Sequence, residues 1–168
     1  MVVLKPEVNN NYKKLKKFLK IKVMNKEIPV SEIMTHDPVF VLPDTPIDQI
    51  HQLFENNGFH HLLVVKGGKV KGIISKSDYL KVQHMLCYTW SGAIGVKDLF
   101  NTMRASDIMS KDPVQIESSD TVGLAADIFL VNSFHALPVV DDGELVGIVT
   151  SHDLLFYAYE GRPILIRK

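Results

Sequence analysis

Gly72-Ile73-Ile74-Ser75-Lys76-Ser77-Asp78 and Gly147-Ile148-Val149-Thr150-Ser151-His152-Asp153 are two versions of one string, 75 residues apart. Sliding the chain against itself by 75 positions carries Ser31–Leu80 onto Ser106–Leu155 without a gap, and eighteen of the fifty aligned positions are identical. Ile33-Met34 falls on Ile108-Met109, and Asp37-Pro38-Val39 on Asp112-Pro113-Val114. Phe54, Asn57, Phe59, His60 and Leu62 fall on Phe129, Asn132, Phe134, His135 and Leu137, and Val64-Val65 and Gly68 on Val139-Val140 and Gly143. Self-similarity at a fixed period marks a repeated structural unit. This chain contains one unit twice.

Working outward from the string, each unit has a readable order. Val39-Phe40-Val41-Leu42 is a β-rich run with Pro38 at its start, where a missing N–H does least harm. Asp44-Thr45-Pro46 reads as a helix start, a capping side chain followed by a proline near the first turn. Ile47, Ile50, Leu53 and Phe54 then recur at helical spacing. Leu62–Val65 is a continuous apolar run, as expected of a strand covered on both faces. Gly67-Gly68 turns the chain into Val70–Ile74, and Ser75 opens a helix carrying Tyr79, Leu80 and Val82. The second unit predicts a strand at Val114–Ile116, a helix near Thr121–Val131, a strand at Leu137–Val140, a turn at Asp142-Gly143, a strand at Leu145–Val149 and a helix from Ser151.

The expected fold is therefore α/β (α+β), with two βαββα units packed as a pseudo-two-fold pair. A unit of about fifty residues buries too little surface to be comfortably stable alone, so the two should share a core. The expected divisions are a basic N-terminal arm (1–29), unit 1 (30–82), a connector (83–104), unit 2 (105–160) and a C-terminal tail (161–168). A cleft between pseudo-symmetric halves is also a common place for a small ligand.

Charge is zero overall but unevenly spread. Residues 1–28 carry eight lysines against Glu7 and Glu27, whereas Lys111 faces nine carboxylates between Asp107 and Asp153. An acidic body argues against lying along nucleic acid. Asn9–Lys22 reads as a basic amphipathic helix with Tyr12, Leu15, Phe18 and Leu19 near one face, docked on the pair or on a second subunit. An anionic surface or nucleic acid is the other reading of that arm. Cys87 is the single cysteine, so no internal disulfide and no paired-cysteine metal pattern is expected. No stretch approaches the ~20 apolar residues of a membrane span, and the expected location is cytoplasmic.

The repeated unit resembles the CBS domain, named after cystathionine β-synthase, which nearly always occurs as a tandem pair. The resemblance rests on Ser31-Glu32-Ile33-Met34-Thr35 and Ser106-Asp107-Ile108-Met109-Ser110, on Phe134-His135-Ala136-Leu137-Pro138-Val139-Val140, and on the two strings quoted first. Those strings look like the family's Gly-x-x-Ser/Thr-x-x-Asp nucleotide motif. The resemblance implies a free-standing regulatory sensor, not an enzyme, that binds AMP, ADP, ATP or S-adenosylmethionine and requires no cofactor for catalysis. By that resemblance Asp78 and Asp153 would hold ribose hydroxyls, while Ser75 and Thr150 would touch phosphate beside helix N-termini. The backbone at Thr35–Pro38 and Ser110–Pro113 would edge the base, and Lys76 and His152 would add positive charge. Where the family often has a basic residue beside the Asp, this chain has Ser77 and His152. With the acidic second half, that favours AMP or another adenosine compound of low negative charge.

Ser/Thr-x-x-Asp at a helix start is also a capping box, whose side chains satisfy backbone N–H groups without any ligand. A ligand-free scaffolding pair, and a nucleic-acid-associated regulator using the arm, therefore stay open as alternatives. His60, His61 and His135 are not expected to bind metal, because neighbours entering a strand point to opposite faces. Ser151-His152-Asp153 is not a triad, since consecutive residues at a helix start cannot form a relay. Neither a catalytic residue nor a metal ligand is assigned. The expected assembly is a homodimer through the helices that begin near Ser75 and Thr150, with Phe156, Tyr157 and Tyr159 supplying aromatic area. The regulated protein partner is not legible.

Overall fold

A computed structural model describes residues 24–88 and 102–160. The expected arm helix, residues 89–101 of the connector and the C-terminal tail lie outside the described residues.

Each repeat is built around a hairpin that carries a helix on either side in sequence. In the first, β3 (His61–Lys66) pairs antiparallel with β4 (Lys69–Ser75), between α1 (Ile47–Asn56) and α2 (Lys76–Tyr88). In the second, β6 (Ala136–Asp141) pairs with β7 (Glu144–Thr150), between α4 (Val122–Val131) and α5 (Ser151–Glu160). The two-residue turns take the form their residues allow: Gly67 and Gly68, like Asp142 and Gly143, both have positive φ. That pattern matches the right-handed twist of the flanking strands. β2 (Phe40–Val41) joins β3 in parallel, and Ile116 makes the matching single bridge to Val139. Val114–Ile116, expected as a strand, is only that bridge.

The opening segments are exchanged between repeats, which the sequence did not predict. β1 (Thr35–His36) pairs with β7, in the other repeat, whereas β5 (Ser110–Lys111) pairs with β4. The short turns before them go with these strands. Val30, Ile33 and Met34 sit in the second repeat's core with Val122, Leu137 and Val149. Ala105, at the head of α3 (Ala105–Ile108), joins the first repeat's core with Ile50, Phe54 and Tyr79. The residues leading in cross over too: Met24 and Ile28 pack on the second core, and Met103 on the first. Neither repeat is therefore a self-contained unit, since each core is completed by its neighbour.

This exchange also corrects the expected cap of α1. Asp44 and Thr45 do not cap it; Pro46 is the N-cap, and the Ile47 N–H donates to Met103 O at 3.2 Å. At the equivalent place in the second repeat, Thr121 does cap α4, accepting from Leu124 N at 3.1 Å, and Val122 N donates to Ile28 O at 2.9 Å. The two sheets face each other through Leu63 and Val65 against Ala136 and Ile148, with Ile73 and Leu145 beside them. At the turn end of this seam the Leu145 N–H donates to Gly68 O at 3.0 Å. The opposite end holds the two strand-to-helix junctions.

Candidate functional site

Both junctions fold as the sequence dictates. At the end of β7, Thr150 Oγ1 donates to Asp153 Oδ2 at 2.7 Å, and Thr150 N donates to the same oxygen at 2.8 Å. Asp153 N returns a bond to Thr150 Oγ1 at 3.2 Å. At the end of β4, Ser75 Oγ donates to Asp78 Oδ2 at 2.6 Å, and Asp78 N donates to Ser75 Oγ at 3.0 Å. The capping box is therefore complete at Thr150 and Asp153, whereas at Ser75 and Asp78 one half is made and the two side chains bond each other in place of the other half. It does not compete with a ligand reading, because it fixes each hydroxyl and carboxylate in place at a helix N-terminus, where backbone N–H groups favour anions.

The first residue of each helix is tied back across the sheet. Lys76 N donates to His60 O at 2.8 Å, and Ser151 N to His135 O at 3.0 Å. The exchanged strands supply the other wall. Thr35 pairs with Ile148 and His36 with Gly147, two and three residues before Thr150. Ser110 pairs with Ile73 and Lys111 with Gly72, before Ser75. The antiparallel register brings Thr35 to within two residues of Thr150 and Ser110 to within two residues of Ser75. It then runs away from the junctions, with Asp37 N on Val146 O and Asp112 N on Lys71 O. Pro38 and Pro113 therefore fall on the side away from Thr150, His152 and Asp153 and from Ser75, Lys76 and Asp78. Each candidate site combines the opening strand of one repeat with the exit helix of the other. Asp37 and Asp112 turn these strands with φ of 46° and 47°, a left-handed conformation that Asp tolerates better than most residues. Strain of this kind collects at functional sites.

The two junctions differ in charge. Asp153 is buried, 8% exposed. Asp78 is more open and its Oδ1 accepts from Lys81 Nζ at 2.8 Å; the position equivalent to Lys81 is Phe156. The Lys81 and Ser75 hydrogen bonds hold the Asp78 carboxyl below the usual carboxylate range, against a smaller effect of burial. Lys76 turns toward α1: its Nζ donates to Phe54 O at 3.1 Å and pairs with Glu55 at 3.2 Å. His152 is exposed on α5. Sequence reasoning set His60, His61 and His135 aside as metal ligands and missed their placement. His61 is half-buried at the junction end of the seam, and burial, followed by His60 and His135, pushes its pKa down, while Asp78 opposes. Among the described residues no group of three or more His, Cys, Asp or Glu side chains is arranged to hold a metal ion.

An exchanged pair of βαββα repeats with Ser/Thr-x-x-Asp at both strand-to-helix junctions defines a tandem-repeat module in which each half completes the other. The family model for the CBS domain matches residues 30–84 and 105–160, and the chain belongs to that family. Among relatives, it is 29% identical over 133 residues to the uncharacterized protein MJ1225 of Methanocaldococcus jannaschii, covering 76% of this chain and 46% of that one. It is 30% identical over 155 residues to MJ1426 of the same organism, covering 79% of this chain and 92% of that one. The chain spans less than half the length of the first curated relatives it matches. Among solved structures, CBSX2 in complex with AMP superposes with a TM-score of 0.66 at 25% identity, covering 79% of this chain and 97% of that one; CBSX2 comes from Arabidopsis thaliana. Among the described residues no helix is long and apolar enough to cross a membrane.

Proposed function

We propose that this CBS pair is a regulatory sensor, without catalytic activity of its own, that binds an adenosine nucleotide at the junctions between its repeats. The observation that carries this reading is the reciprocal construction of both junctions. A fixed hydroxyl and carboxylate at a helix N-terminus meet an exchanged strand whose backbone can edge a base. The carboxylate chemistry suits the adjacent hydroxyls of a ribose, and the helix N-terminus suits phosphate. CBSX2, of the same fold, was crystallised with AMP. The acidic second half favours AMP, or S-adenosylmethionine, over ADP and ATP.

At the junction of Ser75 and Asp78 a ribose would compete with Lys81, which already occupies one oxygen of Asp78. Since each site draws on both repeats, a ligand would alter how they meet, and a partner or a second subunit would read that change. Titration calorimetry with AMP, ADP, ATP and S-adenosylmethionine tests this reading. It is supported by saturable binding of AMP or S-adenosylmethionine, and it fails if none of the four binds at millimolar concentration.

A further inference from the structure

We propose that His61 is a proton-linked phosphate contact, so that phosphorylated adenosine ligands bind more tightly as the pH falls toward 6 whereas adenosine itself does not. The proposal rests on the nucleotide reading above and adds its regulation. His61 opens β3 directly opposite Ser75, its partner in the antiparallel register. Side chains paired in this way lie within about 5.5 Å at Cβ. Strand alternation puts His61 on the same face as Leu63 and Val65, the face that meets Ala136 and Ile148 of the other repeat. Seventy-five residues on, its counterpart is Ala136, so the imidazole stands on one side of the seam only.

The lysine expected to serve this junction is committed elsewhere, since Lys76 reaches back to Phe54 O and Glu55 on α1. The groups acting on His61 are His60 from its own strand's approach, His135 from the approach to β6, and Asp78 from α2. Asp78 is itself held by Lys81 and Ser75. With only this much negative charge nearby, protonation of His61 is opposed by burial and by two imidazoles. A phosphate beside Ser75 reverses the balance, because it adds charge that an imidazolium can pair and hydrogen-bond. Binding then takes up a proton. While the pH lies between the free and the bound imidazole pKa, one proton is taken up on binding and each unit of falling pH strengthens it about tenfold.

The experiment is calorimetric titration of the full chain with AMP and with adenosine between about pH 8 and pH 6, for wild type, His61→Ala and His61→Arg. The second ionisation of a phosphate monoester, near pH 6, is common to all three proteins, so the comparison between them is the readout. Wild type is expected to gain roughly tenfold more AMP affinity than His61→Ala across this range. His61→Arg should bind AMP tightly throughout, and adenosine should show one profile in wild type and His61→Ala. His61→Ala reproduces what Ala136 already is in the second repeat, and a retained cooperative melt confirms that it folds. Coincident AMP profiles for wild type and His61→Ala overturn the proton linkage and leave the nucleotide reading standing. Failure of wild type to bind AMP at any pH overturns both.

Discussion

A Cβ built on Gly147 would stand 2.5 Å from the sulfur of Met34, a residue of the other repeat. The mirror relation holds between Gly72 and Met109, also at 2.5 Å. At these two pairs the exchanged opening segments pack directly on the hairpins they complete, and a glycine leaves room for the methionine at both positions of the repeat.

Gly72→Ala and Gly147→Ala should both destabilise the protein, and unequally. At Gly147 the three nearest atoms all belong to the flexible Met34 side chain, whereas at Gly72 the Ser110 backbone oxygen also lies 2.9 Å away and cannot swing aside. Overpacking costs typically about 1–3 kcal/mol. Gly72→Ala should fall near the upper end and Gly147→Ala near the lower end, as read by denaturant unfolding. Equal costs would contradict this account of the exchange.

Most of the architecture was legible because the repeat and its periodicities are local. Leu62–Val65, the Gly67-Gly68 turn and the helix following Ser75 are each set by a few neighbouring residues. The exchange was not legible, because Met34 and Met109 look alike and a sequence repeat does not say which copy's strand completes which sheet. The cap of α1 was misread for a related reason: Met103 O, distant in sequence, supplies the acceptor that Asp44 was expected to provide. The Ser/Thr-x-x-Asp sites were visible as motifs. Their unequal surroundings were not, since Lys81 and His61 act through the fold.

Lys81→Ala should leave stability nearly unchanged, as an exposed ion pair contributes about 0–1 kcal/mol. It should raise the Asp78 pKa, which Lys81 depresses more than any other group. The folded-state value lies below the unfolded one. The Asp78 contribution to stability is therefore present above roughly pH 4 and is lost as pH falls through the folded value. NMR titration of the Asp78 carboxyl checks the direction. If Lys81 competes with ribose for Asp78, AMP binding at this junction should also tighten several-fold in the variant, and unchanged binding there would argue against ribose contact.

Assembly through the exit helices is expected to rest on a smaller apolar face than the sequence promised. Tyr157 is part of the second repeat's core, at 9% exposure, and Phe156 is half-buried, whereas Leu155 and Tyr159 stand open at 68% and 73%. We predict a homodimer that Leu155→Glu combined with Tyr159→Glu converts to monomer, since desolvating two carboxylates in an apolar contact is costly. Light scattering at tens of micromolar checks this, and an already monomeric wild type contradicts it.

Central to the account is that Asp153 serves a ligand as well as its helix. Capping alone predicts that Asp153→Ala lowers stability by about 0.5–2 kcal/mol, with or without nucleotide. Ligand contact predicts in addition that the AMP-induced change in melting temperature shrinks, because the charge-assisted hydrogen bonds lost are each worth roughly 1.5–3 kcal/mol, or at least tenfold in affinity. The direct measurement is the AMP-induced melting shift of wild type and Asp153→Ala at the same ligand concentrations. At a hundredfold excess over the dissociation constant, wild type should gain about 2.7 kcal/mol, a shift of several degrees, most of it absent in the variant. An equal shift in both proteins, or none in wild type at millimolar AMP, would contradict the account.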